Sequence, residues 1–386
     1  MNEFTYSYPT KIYFGEKAAE KNLPAELAKA GETVMLAYGG GSIKKNGIYD
    51  EMTAILKKAG KRIVDFTGIM SNPTYAKVQE GAAIAKREKV DFILAVGGGS
   101  VSDCCKIVAA QAVYEEDIWN MEFTDHIFPA KALPLGVVVT AAGTGSEQNA
   151  GAVITNEEKK LKSALWGAHA DFAILDPAYT LSVPFRQVIS GAFDTLSHAM
   201  ETYFGKPGEI NLSDEISEAV MRNTIRNIRE LMKNKEDLTA RSELMWDSAM
   251  AENGILKIGK VTDFQAHMIE HQLGAYTDCN HGQGLAVIHP VLYRHIYKEG
   301  LSKFARFAAC VWDVKTDGKT EDEIAVEGID ALASFIKEIG LPSTFAEMDI
   351  TDDTMLRNVA NTSIVTGGCC KKLTADEIFE ILQECK

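Results

Sequence analysis

The sequence predicts a two-part chain: an α/β domain built on a parallel sheet, then an all-helical domain. Two observations predict it. From residue 33 to 175, short β-branched apolar runs alternate with helix-period segments, the pattern of strands joined by crossover helices. Beyond Asp176-Pro177 such runs become scarce and amphipathic helices follow one another. A length of 386 residues also exceeds one ordinary core. The expected division is 1–180 for the α/β domain and 181–386 for the helical one.

The elements follow in order. Residues 33–38 (TVMLAY) read as a strand that ends in Gly39-Gly40-Gly41-Ser42, and 46–59 as the next helix. A short strand at 62–66 and a helix at 75–88 precede DFILAV at 91–96, a buried-strand run ending in Gly97-Gly98-Gly99-Ser100, with a helix from Val101. Further strands are expected at 135–140 and 171–175. Helices are then expected at 186–204, 213–233, 238–253, 262–275 and 321–339.

Composition narrows the function classes. The chain is 46% hydrophobic and 24% charged with a net charge of −14, which argues against a nucleic-acid or anionic-membrane partner and leaves a small-molecule one. No apolar run approaches the roughly 20 residues of a membrane span; the longest, around 133–143, reads as a buried strand. The first residues lack the basic start and apolar stretch of a secretory signal. Seven cysteines form no C-x-x-C pair, and two sets, Cys104-Cys105 and Cys369-Cys370, are adjacent. Their odd number and spacing fit reduced thiols in a cytoplasm.

The glycine runs carry the first functional signal. Gly97–Ser100 joins an apolar strand to a helix, where glycine lets a pyrophosphate approach the backbone and the helix start offers N–H groups. The spacing is not G-x-G-x-x-G, so this is not the Rossmann fingerprint. The bland alternative, a tight turn, needs fewer glycines. The earlier run, Gly39-Gly40-Gly41-Ser42-Ile43-Lys44-Lys45, lacks the acidic residue that holds an unphosphorylated ribose, and has a hydroxyl and two lysines instead. That composition accommodates a 2′-phosphate and points to NADP(H). A third element, Thr140-Ala141-Ala142-Gly143-Thr144-Gly145-Ser146-Glu147, follows another strand and offers hydroxyls and N–H groups.

The second signal lies in the helical half. Asp194 and His198 are four apart, as are His267 and His271, and His281 precedes a glycine. Residues four apart share a helix face. One such pair alone is more often a satisfied core contact; two pairs and a further His point to a metal. Asp194, His198, His267 and His281 offer one carboxylate and three imidazoles, a set suited to Fe(II) or Zn(II). A metal with an open position is a Lewis acid for a carbonyl or alkoxide oxygen. His271, one turn past His267, is a candidate proton relay or a residue that only shapes the pocket. His126, His169, His289 and His295 show no pairing pattern and read as structural.

Together these motifs resemble the iron-containing (group III) alcohol dehydrogenases, in their NADPH-dependent butanol dehydrogenase and aldehyde reductase branch. The resemblance covers essentially the whole chain, from PTKIYFG at 9–15 through both glycine runs, TAAGTGSE and Asp176-Pro177 to the Asp/His/His/His set. It implies a dehydroquinate-synthase-like fold, a homodimer, and NADP(H) with a divalent metal, iron in this family although the ligands also accept zinc. It implies interconversion of short- to medium-chain primary alcohols such as butanol with their aldehydes. By motif, Asp194, His198, His267 and His281 match the metal ligands. Gly98, Gly99 and Ser100 match the pyrophosphate loop, with Asp103 nearby. Gly40, Gly41 and Ser42 match the loop at the adenosine ribose, and Asn72 a position near the adenine. Thr140, Thr144, Asn149, Lys162, Tyr179 and Leu181 match positions around the nicotinamide and its ribose. One departure is Ala141, where the family often has a second threonine. Rival readings are a zinc-dependent glycerol dehydrogenase or lyase of the same fold, disfavoured by the few basic residues near the ligand set, and a non-catalytic binding protein.

Overall fold

The computed structural model describes residues 2–386 and divides into two compact units. The first is Tyr8–Pro184; the second is Phe185–Lys386, joined by residues 2–7. The division falls a few residues past the expected 180. The segment after Asp176 is still fastened to the α/β unit: the Asp176 carboxylate accepts from Lys17 N, Tyr179 donates to Glu51, and Asn46 donates to Ser182.

The α/β unit holds strands β1 (Lys11–Phe14), β2 (Thr33–Tyr38), β3 (Arg62–Phe66), β4 (Phe92–Gly97), β5 (Leu135–Val139), β6 (Gly151–Asn156), β7 (Leu161–Trp166) and β8 (Phe172–Leu175). Its helices are α1 (Ala18–Leu27), α2 (Ser42–Lys45), α3 (Ile48–Lys58), α4 (Tyr75–Glu88), α5 (Gly99–Gln111) and α6 (Ile118–Phe123). Six strands form one parallel sheet in the order β1-β8-β5-β4-β2-β3. Every residue of β2, β4 and β5 is buried, as expected of strands covered on both faces. On one face α1 and α3 pack Leu23, Leu27, Met52 and Leu56 onto Val34, Leu36 and Leu94. On the other lie α4 and α5, which touch each other. A Cβ at Gly81 in α4 would meet Phe66 and Val108 at 2.8 Å, so this helix needs glycine to sit so close.

The chain steps outward from β2 to β3, then returns to place β4 on the other side of β2. That is a topological switch point, and ligands of open α/β sheets bind outside the strand C-termini at such a point. Both glycine runs sit there: Gly39–Ser42 after β2 and Gly97–Ser100 at the end of β4. The antiparallel pair β6–β7 was not expected from the sequence.

The second unit carries helices α7 (Phe185–Tyr203), α8 (Leu212–Lys233), α9 (Leu238–Glu252), α10 (Gln265–Thr277), α11 (His281–Ile296), α12 (Leu301–Trp312), α13 (Glu321–Glu338), α14 (Asp353–Thr362) and α15 (Ala375–Glu384). Capping boxes, Asn211 with Asp214 and Thr320 with Glu323, open α8 and α13. The core runs through Phe193, Leu196, Tyr203, Leu285, Phe304 and Phe307. The α10 helix opens three residues later than its periodicity suggests, because Phe264 takes φ 55° and the Asp263 carboxylate accepts from Gln265 N. Among the described residues no helix is long and apolar enough to cross a membrane, and no disulfide joins any of the seven cysteines.

Candidate metal centre and nucleotide loops

Three helices converge on one carboxylate. The α7 helix brings Asp194 and His198 on one face, α10 brings His267, and His281 is the first residue of α11. The Nε2 atoms of His267 and His281 each lie 3.4 Å from Asp194 Oδ1, and that of His198 lies 3.9 Å away. The His198 and His267 rings stack with centroids 4.5 Å apart. Asp194, His198 and His267 are almost wholly buried, whereas the His281 side chain keeps 25% of its exposure, so access is on its side.

Close packing of glycines makes this convergence possible. A Cβ at Gly282 would lie 2.2 Å from Ser190 O on α7, and one at Gly284 would lie 2.9 Å from Glu270 Cγ on α10. The glycines after His281 thus let α11 approach both ligand-bearing helices. Gly282→Ala is expected to lower stability by about 1–3 kcal/mol through overpacking and to reduce retained metal by displacing His281. Thermal melts and metal analysis of the purified variant would check this.

The polar atoms facing the centre are arranged for a cation. Asp194 Oδ1 and His267 Nε2 are buried without a hydrogen-bond partner. An orphaned carboxylate oxygen facing imidazole nitrogens is costly unless something else binds both. Burial pushes the Asp194 carboxyl up, yet the His198, His281 and His267 imidazoles hold it well below its usual range. Burial pulls the His267 imidazole down, but Glu201 and Asp194 raise it to about 10. One carboxylate and three imidazoles fit a divalent metal ion.

Two carboxylates that the sequence reading missed stand behind the ligands. Glu201 pairs with His267 Nδ1, and Glu270 with His281 Nδ1. Each bond leaves Nε2 turned toward Asp194, the orientation a metal ligand needs. Glu201 is seven residues after Asp194 and so falls on the same helix face; that spacing was the available signal. His271 is buried beside the set, its ring centroid 6.0 Å from His267 and 5.5 Å from His281, and with Glu270 and His281 it forms a second cluster of donor atoms. His289 instead hydrogen-bonds Ser197 at 2.6 Å, in keeping with a structural reading.

In the α/β unit several of the expected nucleotide residues cluster at the two glycine loops. Gly41 adopts φ 99° to start α2, with exposed Gly40 and Ser42 on either side. Gly98 caps α5, whose first N–H groups have no intrahelical acceptor. Ala141 and Thr144 press on this loop: a Cβ at Gly99 would meet Thr144 Oγ1 at 2.2 Å, and one at Gly98 would meet Ala141 Cβ at 3.3 Å. Thr140 donates its backbone N–H to Gly97 O at 2.9 Å. The Ser100 hydroxyl donates to Ser71 O, which brings the neighbouring Asn72 to the same loop.

Asp103, Asn149 and Tyr179 also make hydrogen bonds within the α/β unit. The Asp103 carboxylate accepts from the Ser146 hydroxyl and from Val153 N, tying the β6–β7 ribbon to α5. Asn149 Oδ1 accepts from Gly151 N at 3.0 Å and Lys106 Nζ at 3.4 Å. The Tyr179 hydroxyl donates to Glu51 at 2.8 Å. Lys162 is buried on the ribbon opposite Thr155, and Leu181 is 42% exposed.

Comparison with known proteins gives the same outline. Residues 9–177 match the domain described as iron-containing alcohol dehydrogenase, and 188–385 match its C-terminal counterpart. The chain belongs to the iron-containing alcohol dehydrogenase family. It is 40% identical over 388 residues to a probable NADH-dependent butanol dehydrogenase 1 of Bacillus subtilis, covering 99% of each chain. It is 36% identical over 351 residues to the NADPH-dependent aldehyde reductase YqhD of Escherichia coli, covering 90% of this chain and 89% of that one. Its fold matches the structure of NADH-dependent butanol dehydrogenase A from Thermotoga maritima with a TM-score of 0.93 at 34% identity, covering 100% of this chain and 99% of the other. Like other iron-containing alcohol dehydrogenases, the chain is an enzyme of alcohol–aldehyde interconversion, in a family that implies iron and a nucleotide cofactor.

Proposed function

We propose that this enzyme reduces short- to medium-chain aldehydes to primary alcohols with NADPH, at a divalent metal held by Asp194, His198, His267 and His281. The observation that carries the proposal is the orphaned Asp194 oxygen with three imidazole Nε2 atoms within 3.9 Å. When bound, the metal supplies Lewis acidity toward a carbonyl oxygen and the reduced nicotinamide supplies hydride. The chain's own residues orient these groups. Glu201 and Glu270 hold the His267 and His281 rings, and buried neighbours keep water from the carboxylate. His271 is proposed to move the proton that the product alcohol requires.

The preference for NADP(H) rests on the loop after β2. No carboxylate lies between Gly39 and Lys45. Lys44 Nζ is held over the Tyr38 and Tyr49 rings at 5.1 and 4.7 Å, and the acid on the next strand, Asp65, accepts from Tyr49. A lysine held beside this loop would suit a 2′-phosphate and supports the NADP(H) reading. The names of related proteins divide on this point, the butanol dehydrogenases being NADH-dependent and the aldehyde reductase NADPH-dependent.

The test is the initial rate of butyraldehyde reduction by anaerobically purified, Fe(II)- or Zn(II)-reconstituted enzyme, with NADPH and NADH in parallel. Metal-dependent oxidation of NADPH, at least about tenfold faster in kcat/KM than that of NADH, is expected, since one retained charge contact contributes roughly 1.4 kcal/mol or more. A preference for NADH would overturn the 2′-phosphate argument and leave the enzyme class intact.

A further inference from the structure

We propose that Glu201 is a positioning residue whose two carboxylate oxygens jointly set the start of α10 and the tautomer of His267, so that metal affinity depends on its being a carboxylate rather than an amide. This rests on the reading of His267 as a metal ligand.

Asp263 accepts from the first N–H of α10, that of Gln265, and leaves the next two to be met from elsewhere. The N-cap, Phe264, sits at φ 55° and its side chain offers no polar atom. Those two N–H groups are met from α7. Glu201 Oε1 accepts from Ala266 N at 2.6 Å and from His267 N at 3.4 Å, while Oε2 faces His267 Nδ1. Glu201 O also accepts from Asp263 N at 3.2 Å. The carboxylate is 2% exposed, so water offers no substitute for either oxygen. Its negative charge also lies at the positive end of the helix. Because Oε2 can only accept, Nδ1 carries the proton, and in the neutral ring that ligates a metal Nε2 is the bare nitrogen, facing Asp194 Oδ1 at 3.4 Å.

An amide cannot do both jobs. In Glu201→Gln one orientation keeps its oxygen on Ala266 N–H and turns its NH2 to His267 Nδ1. That ring nitrogen must then accept, the proton moves to Nε2, and His267 donates to Asp194 instead of ligating. The flipped orientation sets NH2 against the Ala266 N–H, two donors at a 2.6 Å separation. The first arrangement costs less, and it disables the ligand.

The experiment measures Co(II) and Zn(II) affinity by chelator competition, and the Co(II) ligand-field spectrum, for wild-type, Glu201→Gln and Glu201→Asp full-length proteins. Metal-free melting temperatures are recorded alongside. Glu201→Gln is expected to bind about 10- to 100-fold more weakly with an altered spectrum. Glu201→Asp, which keeps an acceptor-only group, is expected to retain the wild-type spectrum with a smaller loss. A purely structural role would lower the metal-free melting temperature and leave affinity and spectrum of the folded protein unchanged, which overturns the proposal. If Glu201→Gln does not fold, a Glu201→Asp spectrum differing from wild type overturns it instead. Wild-type protein that binds neither metal would overturn both this inference and the metal-centre reading, a failure distinct from equal binding by wild type and Glu201→Gln.

Discussion

Asp194→Ala is expected to abolish metal retention and to lower kcat/KM by about 10³-fold or more, because the Lewis-acid contribution of such an ion is worth several kcal/mol. Asp194 Oδ1 is the point at which the three imidazoles meet, and among the described residues it is the one anionic oxygen in direct reach of all of them. Without it His267 and His281 remain held by Glu201 and Glu270, so the rings persist but the centre loses its charge compensation. The variant should therefore fold and yet fail to respond to metal. A wild-type protein at 100 times the dissociation constant gains about 2.7 kcal/mol, a rise of roughly 5–10 °C in melting temperature for a unit of this size. Asp194→Ala should show no such rise. Scanning calorimetry with and without Zn(II), together with metal analysis and aldehyde-reduction kinetics, checks the prediction. A full metal complement in the variant would show that the ion is held elsewhere.

The contrast between what could and could not be read from the sequence follows from the range of each interaction. Asp194/His198 and His267/His271 were legible because helical spacing alone puts each pair on one face. His281 was legible through the glycines that follow it, whose purpose appears only in three dimensions, where Gly282 lies against Ser190 and Gly284 against Glu270. Glu201 and Glu270 went unread because their partners are on other elements or depend on a turn between helices; nothing local marks a carboxylate as the cap of a distant helix. In the α/β unit the buried runs of β2, β4 and β5 were legible from apolar continuity. The β6–β7 ribbon was not, since alternation of strand and helix predicts parallel strands, and the polar turn between Asn156 and Leu161 was the one hint of a hairpin. Spacing likewise could not show the bonds of Asp103 to Val153, Asn149 to Gly151 and Tyr179 to Glu51, which join residues of different elements or a loop turn.

On the proposed reading His271 would separate proton movement from metal binding, since it lies beside the ligand set. It stands one helical turn after His267 and is buried, with its ring 5.5 Å from that of His281, the most open of the four ligand candidates. A hydride transferred to a carbonyl carbon leaves an oxygen that needs a proton, and a titratable imidazole beside the ligand set is suited to deliver one. His271→Ala is accordingly expected to keep its metal and its Co(II) spectrum while kcat falls by about 10²-fold or more, the usual contribution of a positioned acid–base group. If His271 only shaped the pocket, the substitution would open space and act on KM across a series of aldehydes of increasing length, with kcat preserved. Steady-state kinetics on propanal through hexanal, paired with metal analysis, distinguishes the two: a kcat loss independent of chain length assigns the proton to His271, and a length-dependent KM change with unchanged kcat removes it from the chemistry.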